Sequence, residues 1–153
     1  IRAFQMNKSH LKQLDFDLFL PAIGIGLLSV AVLNLNNMRD EASDRKSGKN
    51  TIVVQMGGEK AKKYHYFLII TAMVVFVVFA LLNNFNIDQY LFLVSYYPLV
   101  KHLDTVKKYT NPKELDPELN KVALSTFLLS VLFSLCMIYF FSDVIVNTFM
   151  GGR

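Results

Sequence analysis

Four stretches without a single Asp, Glu, Lys or Arg constrain this chain most. They cover residues 18–38, 66–87, 89–100 and 122–142, with lengths of 21, 22, 12 and 21 residues. A helix rises about 1.5 Å per residue, so roughly 20 residues cross a hydrocarbon core of about 30 Å. Three stretches are long enough, and the short one approaches the minimum when it is extended to residues 85–101. The sequence therefore predicts an all-α integral membrane fold with about four spanning helices.

The composition agrees with a membrane protein and excludes several other classes. Hydrophobic residues make up 53% of the chain, charged residues 18%, and the mean hydropathy is +0.35. A disordered chain needs low hydrophobicity, and a soluble domain would not segregate its charges into blocks between long apolar runs. The one cysteine, Cys136, excludes a disulfide framework or a cysteine-based zinc site. We expect a single, partial membrane domain over residues 1–153 and a longer parent protein, because the chain begins with Ile1 rather than Met.

The distribution of basic residues predicts the orientation. The predicted helices cover residues 17–38, 66–87, 85–101 and 121–142, and the two long loops cover 39–65 and 102–120. Seven Lys and Arg residues fall within 39–65 and five within 101–121, whereas 83–88 has none and the tail after 142 has one. Cytoplasmic connections carry an excess of Lys and Arg. We therefore expect both long loops to be cytoplasmic, and by alternation both chain ends to lie on the other side.

The segment that follows the first apolar stretch carries the candidate chemistry. Asn37, Asp40 and Asp44 are spaced i, i+3 and i+7, so they share one face if the first helix continues through them. The β-carbons of residues one turn apart are about 5–6 Å apart, and two carboxylates that close repel each other unless a cation lies between them. Mg²⁺ accepts one or two carboxylates and completes its shell with phosphate oxygens and water. The pattern therefore indicates a Mg²⁺ site.

Four basic residues, Arg39, Arg45, Lys46 and Lys49, surround these carboxylates in the sequence. Cations beside a Mg²⁺ site can neutralise the oxygens of a diphosphate, and polar residues that end an apolar helix are functional candidates by default. A plainer interpretation remains open at this point, because the positive-inside rule alone explains basic residues in a solvated cytoplasmic loop.

A known motif is similar to this segment. The second aspartate-rich motif of the UbiA superfamily of intramembrane prenyltransferases resembles the run Asn37-x-x-Asp40-x-x-x-Asp44-x-x-x-Gly48-Lys49-x-Thr51. The patterns Asn-Asn-x-Arg-Asp and Gly-Lys-x-Thr are most similar to those of the 1,4-dihydroxy-2-naphthoate prenyltransferase branch, MenA. Residues 115–121, before the last helix, also resemble the final loop of that branch.

The resemblance implies that the chain is the C-terminal half of an all-α bundle of about nine membrane helices. A first aspartate-rich motif is then expected in the missing N-terminal half, facing the second motif across Mg²⁺ and a prenyl diphosphate. The implied reaction is the Mg²⁺-dependent transfer of a polyprenyl group to 1,4-dihydroxy-2-naphthoate, which gives a demethylmenaquinone. We expect a multi-pass protein of the cell (inner) membrane with a cytoplasmic aspartate-rich loop. Half a metal site is expected to be inactive alone, and no nucleic-acid partner is implied.

The resemblance also implies residue roles. Asp40 and Asp44 are the expected catalytic Mg²⁺ ligands, Asn37 is a further ligand or a neighbouring donor, and Lys49, Arg45, Arg39 and Lys46 are the expected diphosphate contacts. Three alternatives stay open: a UbiA-type enzyme with another acceptor such as 4-hydroxybenzoate, a transporter segment, and a membrane subunit whose loop binds acidic lipid. A transporter would be expected to place its carboxylates near the bilayer midplane. A lipid-binding loop would be indifferent to which aspartate is removed.

Overall fold

The computed structural model describes residues 18–149, which form helices joined by short turns without any β-strand. In chain order the elements of this range are α1 (Phe19–Lys46), α2 (Ile52–Met56), α3 (Gly58–Leu82), a first 3-10 segment (Ile87–Ser95), α4 (Tyr96–Lys108), a second 3-10 segment (Pro112–Leu115) and α5 (Asp116–Phe149). The predicted all-α fold is therefore confirmed.

Helices α1 and α3 form an antiparallel pair that makes up much of the core. The Asn34 side chain of α1 donates to the Ala61 carbonyl near the start of α3, at 3.2 Å. Towards the other end of the pair, Gly24 faces the ring of Phe76, and a β-carbon built on Gly24 would lie only 2.6 Å from that ring. The small residue at position 24 thus permits a close helix approach, as is common in membrane bundles.

Two tyrosines fasten α4 to α3. The Tyr66 hydroxyl donates to the Leu103 carbonyl at 2.6 Å, and the Tyr96 hydroxyl donates to the Met73 carbonyl at 2.7 Å. Helix α5 packs against α1, α4 and the first 3-10 segment. At the end of the bundle away from residue 44, Phe133 of α5 lies 4.9 Å from Phe76 and 5.4 Å from Phe79 between ring centroids, in edge-to-face arrangements that favour aromatic packing.

Three parts of the described chain are long and apolar enough to cross a membrane, namely α1, α3 and the stretch Pro112–Ser142. Large apolar side chains stand exposed along all three. Among them, Leu33 is 59% exposed, Phe67 59% and Phe127 68%. Contiguous apolar surface of this kind is disfavoured in water and is suited to a bilayer or to further helices.

The predicted fourth spanning helix, residues 85–101, is absent from those three. The chain forms the first 3-10 segment there and then α4, whose 13 residues reach about 20 Å. Proline lacks an N–H and is tolerated only in a first helical turn, so Pro98 fits a helix that begins at Tyr96. Buried residues at 99, 102, 103 and 106 then give α4 one inward face, which continues well beyond residue 101.

The long loops predicted from the charges are also largely helical. Helix α1 runs to Lys46 and α3 begins at Gly58, so the connection between them is short and contains α2. Charged residues end a charge-free stretch without ending a helix, because the exposed face of a helix tolerates them, as in the Arg45–Glu41 pair at 2.9 Å. The predicted positions of the segment before residue 18 and of the tail after residue 149 lie outside the described range.

Candidate functional site

The predicted metal ligands lie on the last turns of α1. The helix continues through residues 37, 40 and 44, which is the condition under which their spacing places them on one face. Asn37 is half-buried, Asp40 has a side chain that is 33% exposed, and Asp44 has one that is only 7% exposed. The two carboxylates thus share a helix face but have different surroundings.

Asp40 is bound by its neighbour in sequence. Arg39 donates to both oxygens of Asp40, from Nε to Oδ1 and from Nη2 to Oδ2, each at 2.8 Å. Such a two-point guanidinium–carboxylate contact is geometrically specific and stronger than a neutral hydrogen bond. The third guanidinium nitrogen, Nη1, lies 3.4 Å from Oδ1 of Asp116, which is the first residue of α5. Arg39 therefore connects Asp40 to another helix.

Asp44 is covered because the chain turns back over it after α1. Gly48 has φ +75°, a left-handed conformation that favours glycine, and the Lys49 N–H bonds the Asp44 carbonyl at 2.9 Å. Together with the weaker Gly48-to-Arg45 bond this is the Schellman arrangement that ends many helices. The turn brings Lys49 Nζ to 3.1 Å from Oδ1 of Asp44. Lys49 is thus placed at the site by the helix end itself.

Arg45 and Lys46 lie elsewhere. Arg45 pairs with Glu41 and donates to the Val54 carbonyl at 3.4 Å. Both basic residues line a cleft of about 640 Å³ between α1, the start of α3 and the α4–α5 connection. The residues of α1 that line this cleft include Met38, Glu41 and Arg45. They lie on a different face of the helix from residues 37, 40 and 44. The structure therefore brings Arg39 and Lys49 to the carboxylates, and it places Arg45 and Lys46 in the neighbouring cleft.

The cleft has mixed charge. Lys62 Nζ lies 4.2 Å from the centroid of the Tyr109 ring, within the range of a cation–π contact. Burial, with the nearby carboxylates of Glu41 and Glu59, raises the pKa of the Tyr109 hydroxyl, which therefore stays protonated. Acidic and basic groups in the same cleft balance each other, so it does not form a strongly cationic pocket.

The two carboxylates do not form a complete cation site by themselves. Among the described residues, no group of three or more His, Cys, Asp or Glu side chains is arranged to hold a metal ion. The donor types at 37, 40 and 44, an amide oxygen and two carboxylates, are those that Mg²⁺ takes when phosphate oxygens and water complete its shell. The residues fit Mg²⁺ only as one side of a site that would need further ligands.

A buried polar cluster, which we call the histidine array, was missed by sequence reasoning. It consists of His65 in α3, His102 in α4, and Glu118 with Lys121 in α5. The histidines have no metal-ligand spacing in the sequence, so no spacing rule points to them. One signal was available, because the apolar residues at 99, 103 and 106 place His102 on the buried face of α4.

Comparisons with known proteins add the following. The profile of the UbiA prenyltransferase family matches residues 6–116. The chain is 40% identical over 122 residues to a 1,4-dihydroxy-2-naphthoate octaprenyltransferase of Haemophilus influenzae, and 39% identical over 118 residues to one of Escherichia coli. These alignments cover 80% and 77% of this chain but only 40% and 38% of the relatives, so the chain spans about two fifths of their length. No solved structure matches significantly.

Proposed function

Because this chain belongs to the UbiA prenyltransferase family, we propose that it forms the diphosphate-binding side of a multi-pass membrane prenyltransferase. The proposed reaction transfers a polyprenyl group from its diphosphate to 1,4-dihydroxy-2-naphthoate and gives a demethylmenaquinone. One observation carries the proposal: Asp40 and Asp44 share a helix face at the end of a membrane-length helix, each beside a cation. The names of both relatives support this acceptor.

Each residue of this face has a proposed task. Asp40 and Asp44 would hold Mg²⁺, with Asn37 as a further oxygen donor. Bound Mg²⁺ supplies Lewis-acid stabilisation of the negative charge that develops on the leaving diphosphate. Lys49 and Arg39 neutralise the same charge with fixed donors, and such electrostatic stabilisation is usually the largest catalytic contribution. Arg45 and Lys46 line the adjoining cleft and are proposed as peripheral contacts.

The pairing of the carboxylates supports this assignment of tasks. In the described structure Arg39 and Lys49 balance Asp40 and Asp44. With Mg²⁺ held by the carboxylates, Arg39 and Lys49 would be free to contact phosphate oxygens. Their positive charges then face the diphosphate, whose negative charge grows as its bond to the prenyl carbon breaks. In this proposal the carboxylates exchange Arg39 and Lys49 for Mg²⁺, and the two basic side chains exchange the carboxylates for the diphosphate.

The remaining parts of the active site are proposed to lie outside these 153 residues. A first aspartate-rich motif in the rest of the protein would supply the facing ligands, so the isolated chain is expected to be inactive. We further propose that the site opens to the cytoplasmic face of the inner membrane, since the connection that contains it is rich in basic residues.

Prenyl transfer by membranes that contain the full-length protein tests the proposal. A polyprenyl diphosphate is supplied with either 1,4-dihydroxy-2-naphthoate or 4-hydroxybenzoate, with Mg²⁺ or with excess chelator. We expect Mg²⁺-dependent product from the naphthoate alone. Product from 4-hydroxybenzoate alone would show that this compound, and not the naphthoate, is the acceptor. Absence of product from both acceptors would contradict the proposed reaction and favour a membrane subunit without this activity.

A further inference from the structure

The histidine array joins three helices through side chains that are almost fully buried. His65 Nε2 lies 2.7 Å from His102 Nε2, and His102 Nδ1 lies 2.6 Å from Oε2 of Glu118. Lys121 donates to the second oxygen of Glu118. Both histidines are 0% exposed and Glu118 is 3% exposed. Buried polar groups cost free energy unless they are paired, so a chain of short contacts at this depth holds its helices in one arrangement.

The proton positions follow from the contacts. A carboxylate that is also paired with Lys121 is an acceptor, so His102 donates from Nδ1 to Glu118. The other nitrogen of a neutral His102 then accepts, and His65 donates from Nε2. His65 Nδ1 has no hydrogen-bond partner among the described residues. With both imidazoles neutral, the charge of Glu118 is balanced by Lys121 alone.

The array ends at the first turn of α5, where that helix meets the candidate site. Glu118 is two residues beyond Asp116, and Asp116 contacts Arg39, which holds Asp40. The preceding 3-10 segment packs on α1 and buries Leu115 completely. The contact between Asp116 and Arg39 is long and exposed, so it is worth little by itself. Its geometry depends on where the first turn of α5 is fixed.

We propose that His65, His102 and Glu118 are positioning residues, whose hydrogen-bonded array fixes the first turn of α5 so that Asp116 holds Arg39 at the diphosphate site. The inference rests on the proposed function for what Arg39 does, and on the buried contacts for how Arg39 is held. It assigns a task in prenyl transfer to three buried residues of the histidine array.

A double-mutant cycle in the full-length enzyme tests this task. Glu118→Gln keeps the side-chain size and one acceptor oxygen but removes the charge and the Lys121 pair. We expect it to raise the KM for the prenyl diphosphate by about 3- to 10-fold, the effect of roughly one hydrogen bond, with the KM for the acceptor unchanged. Arg39→Gln raises the same KM. In the Arg39→Gln background, Glu118→Gln is expected to add nothing, because its effect passes through Arg39.

Additive effects on the diphosphate KM would overturn the inference, as would equal effects on the KM values of both substrates. The matched control is Asp104→Asn, which removes an exposed α4 carboxylate that pairs with Lys108. We expect its kinetics to match those of the unmodified enzyme.

A second measurement is independent of turnover. Arg39→Cys and Asp116→Cys are introduced into a cysteine-free full-length protein, and the yield of a short bis-maleimide cross-link between them is measured. Adding Glu118→Gln or His102→Gln is expected to lower the yield at least twofold, whereas Asp104→Asn leaves it unchanged. An unchanged yield in both array variants contradicts the positioning role. A lowered yield in a protein without prenyl transfer would uphold the array and refute the proposed function.

Discussion

Oδ1 of Asp44 lies 3.1 Å from Nζ of Lys49, and the two side chains are 7% and 69% exposed. A nearly buried carboxylate is thus paired with an ammonium group that reaches it from solvent. The pair exists because Gly48 turns the chain back at the end of α1. Because its side chain is exposed, Lys49 can turn from Asp44 to an arriving anion when another cation takes its place beside this carboxylate, whereas Asp44 remains fixed by the helix.

Removing either site carboxylate should abolish most of the activity. In the full-length enzyme, Asp40→Asn and Asp44→Asn are each expected to lower kcat by about 100-fold or more, because a neutral amide holds Mg²⁺ and its diphosphate poorly. The measurement is initial rates of prenyl transfer across a Mg²⁺ series. Asp104→Asn is the control, since it removes one exposed carboxylate of α4 whose ion-pair partner is Lys108. If both site variants turned over as fast as the unmodified enzyme, the metal-site assignment would be contradicted and this segment would be an ordinary charged segment.

Lys49 should matter for the diphosphate and not for the acceptor. Lys49→Gln is expected to raise the KM for the prenyl diphosphate by about 10-fold or more, the loss of one charge-assisted hydrogen bond. Lys63→Gln is the matched control, because it removes an exposed positive charge on α3. The comparison is steady-state kinetics at fixed ionic strength. Equal KM shifts in the two variants would mean that Lys49 acts only through general surface charge.

Gly24 and Gly26 form a matched pair for helix packing. A β-carbon at Gly24 would lie 2.6 Å from the ring of Phe76, which is fully buried and packed against Phe133. At Gly26 nothing lies within 4 Å. Gly24→Ala is therefore expected to destabilise the fold by about 1–3 kcal/mol through overpacking, whereas Gly26→Ala does not destabilise it. Thermal unfolding in detergent measures the difference, and equal unfolding temperatures would contradict the close α1–α3 approach.

The histidine array should make stability depend on pH. Burial lowers the pKa of His102 below 6.5, the usual value of a histidine side chain, a shift that Glu118 opposes and Lys121 reinforces. Between the folded pKa and 6.5 the unfolded chain binds more protons, so the free energy of unfolding falls as the pH falls through this window. His65 and Glu118 are the groups that directly contact His102 from α3 and α5.

His102→Gln removes this titration. Its unfolding temperature, measured from about pH 7.5 to about pH 5, should fall less steeply than that of the unmodified protein, since the variant lacks one of the imidazoles that gain a proton on unfolding in this range. The variant is expected to be less stable at the upper end of the range, because it loses a buried hydrogen-bond partner of Glu118. Parallel profiles would show that His102 does not contribute to the acid sensitivity.

The sequence predicted the membrane class and the shared helix face of the candidate site residues correctly, because both depend on local pattern. Hydropathy marked three helices of membrane length, and the spacing of Asn37, Asp40 and Asp44 required only that α1 continue past the last apolar residue, which it does. Hydropathy was less informative about helix ends. It reports where side chains prefer to avoid water, and α1 runs to Lys46 because charged residues on an exposed face do not stop a helix.

The partners of the site residues could not be read from the sequence. Asp116 reaches Arg39 across 77 positions of the chain, and His65 reaches His102 across 37. No rule of sequence spacing predicts either pair, because both contacts depend on how the helices pack against each other. Arg45 and Lys46 are neighbours of Asp44 in the sequence, yet helix geometry turns them into another cleft.

The sequence by itself thus determined an all-α membrane chain of the UbiA type and the helix face that carries Asp40 and Asp44. These features follow from periodicity and from motif spacing within single helices. Only the tertiary structure decided which cations neutralise those carboxylates and that the predicted fourth span is a 3-10 segment followed by an amphipathic helix. It also decided that two dispersed histidines meet a glutamate in the core. Packing between helices sets those relationships, since a side chain buried against another helix must satisfy its polar groups there.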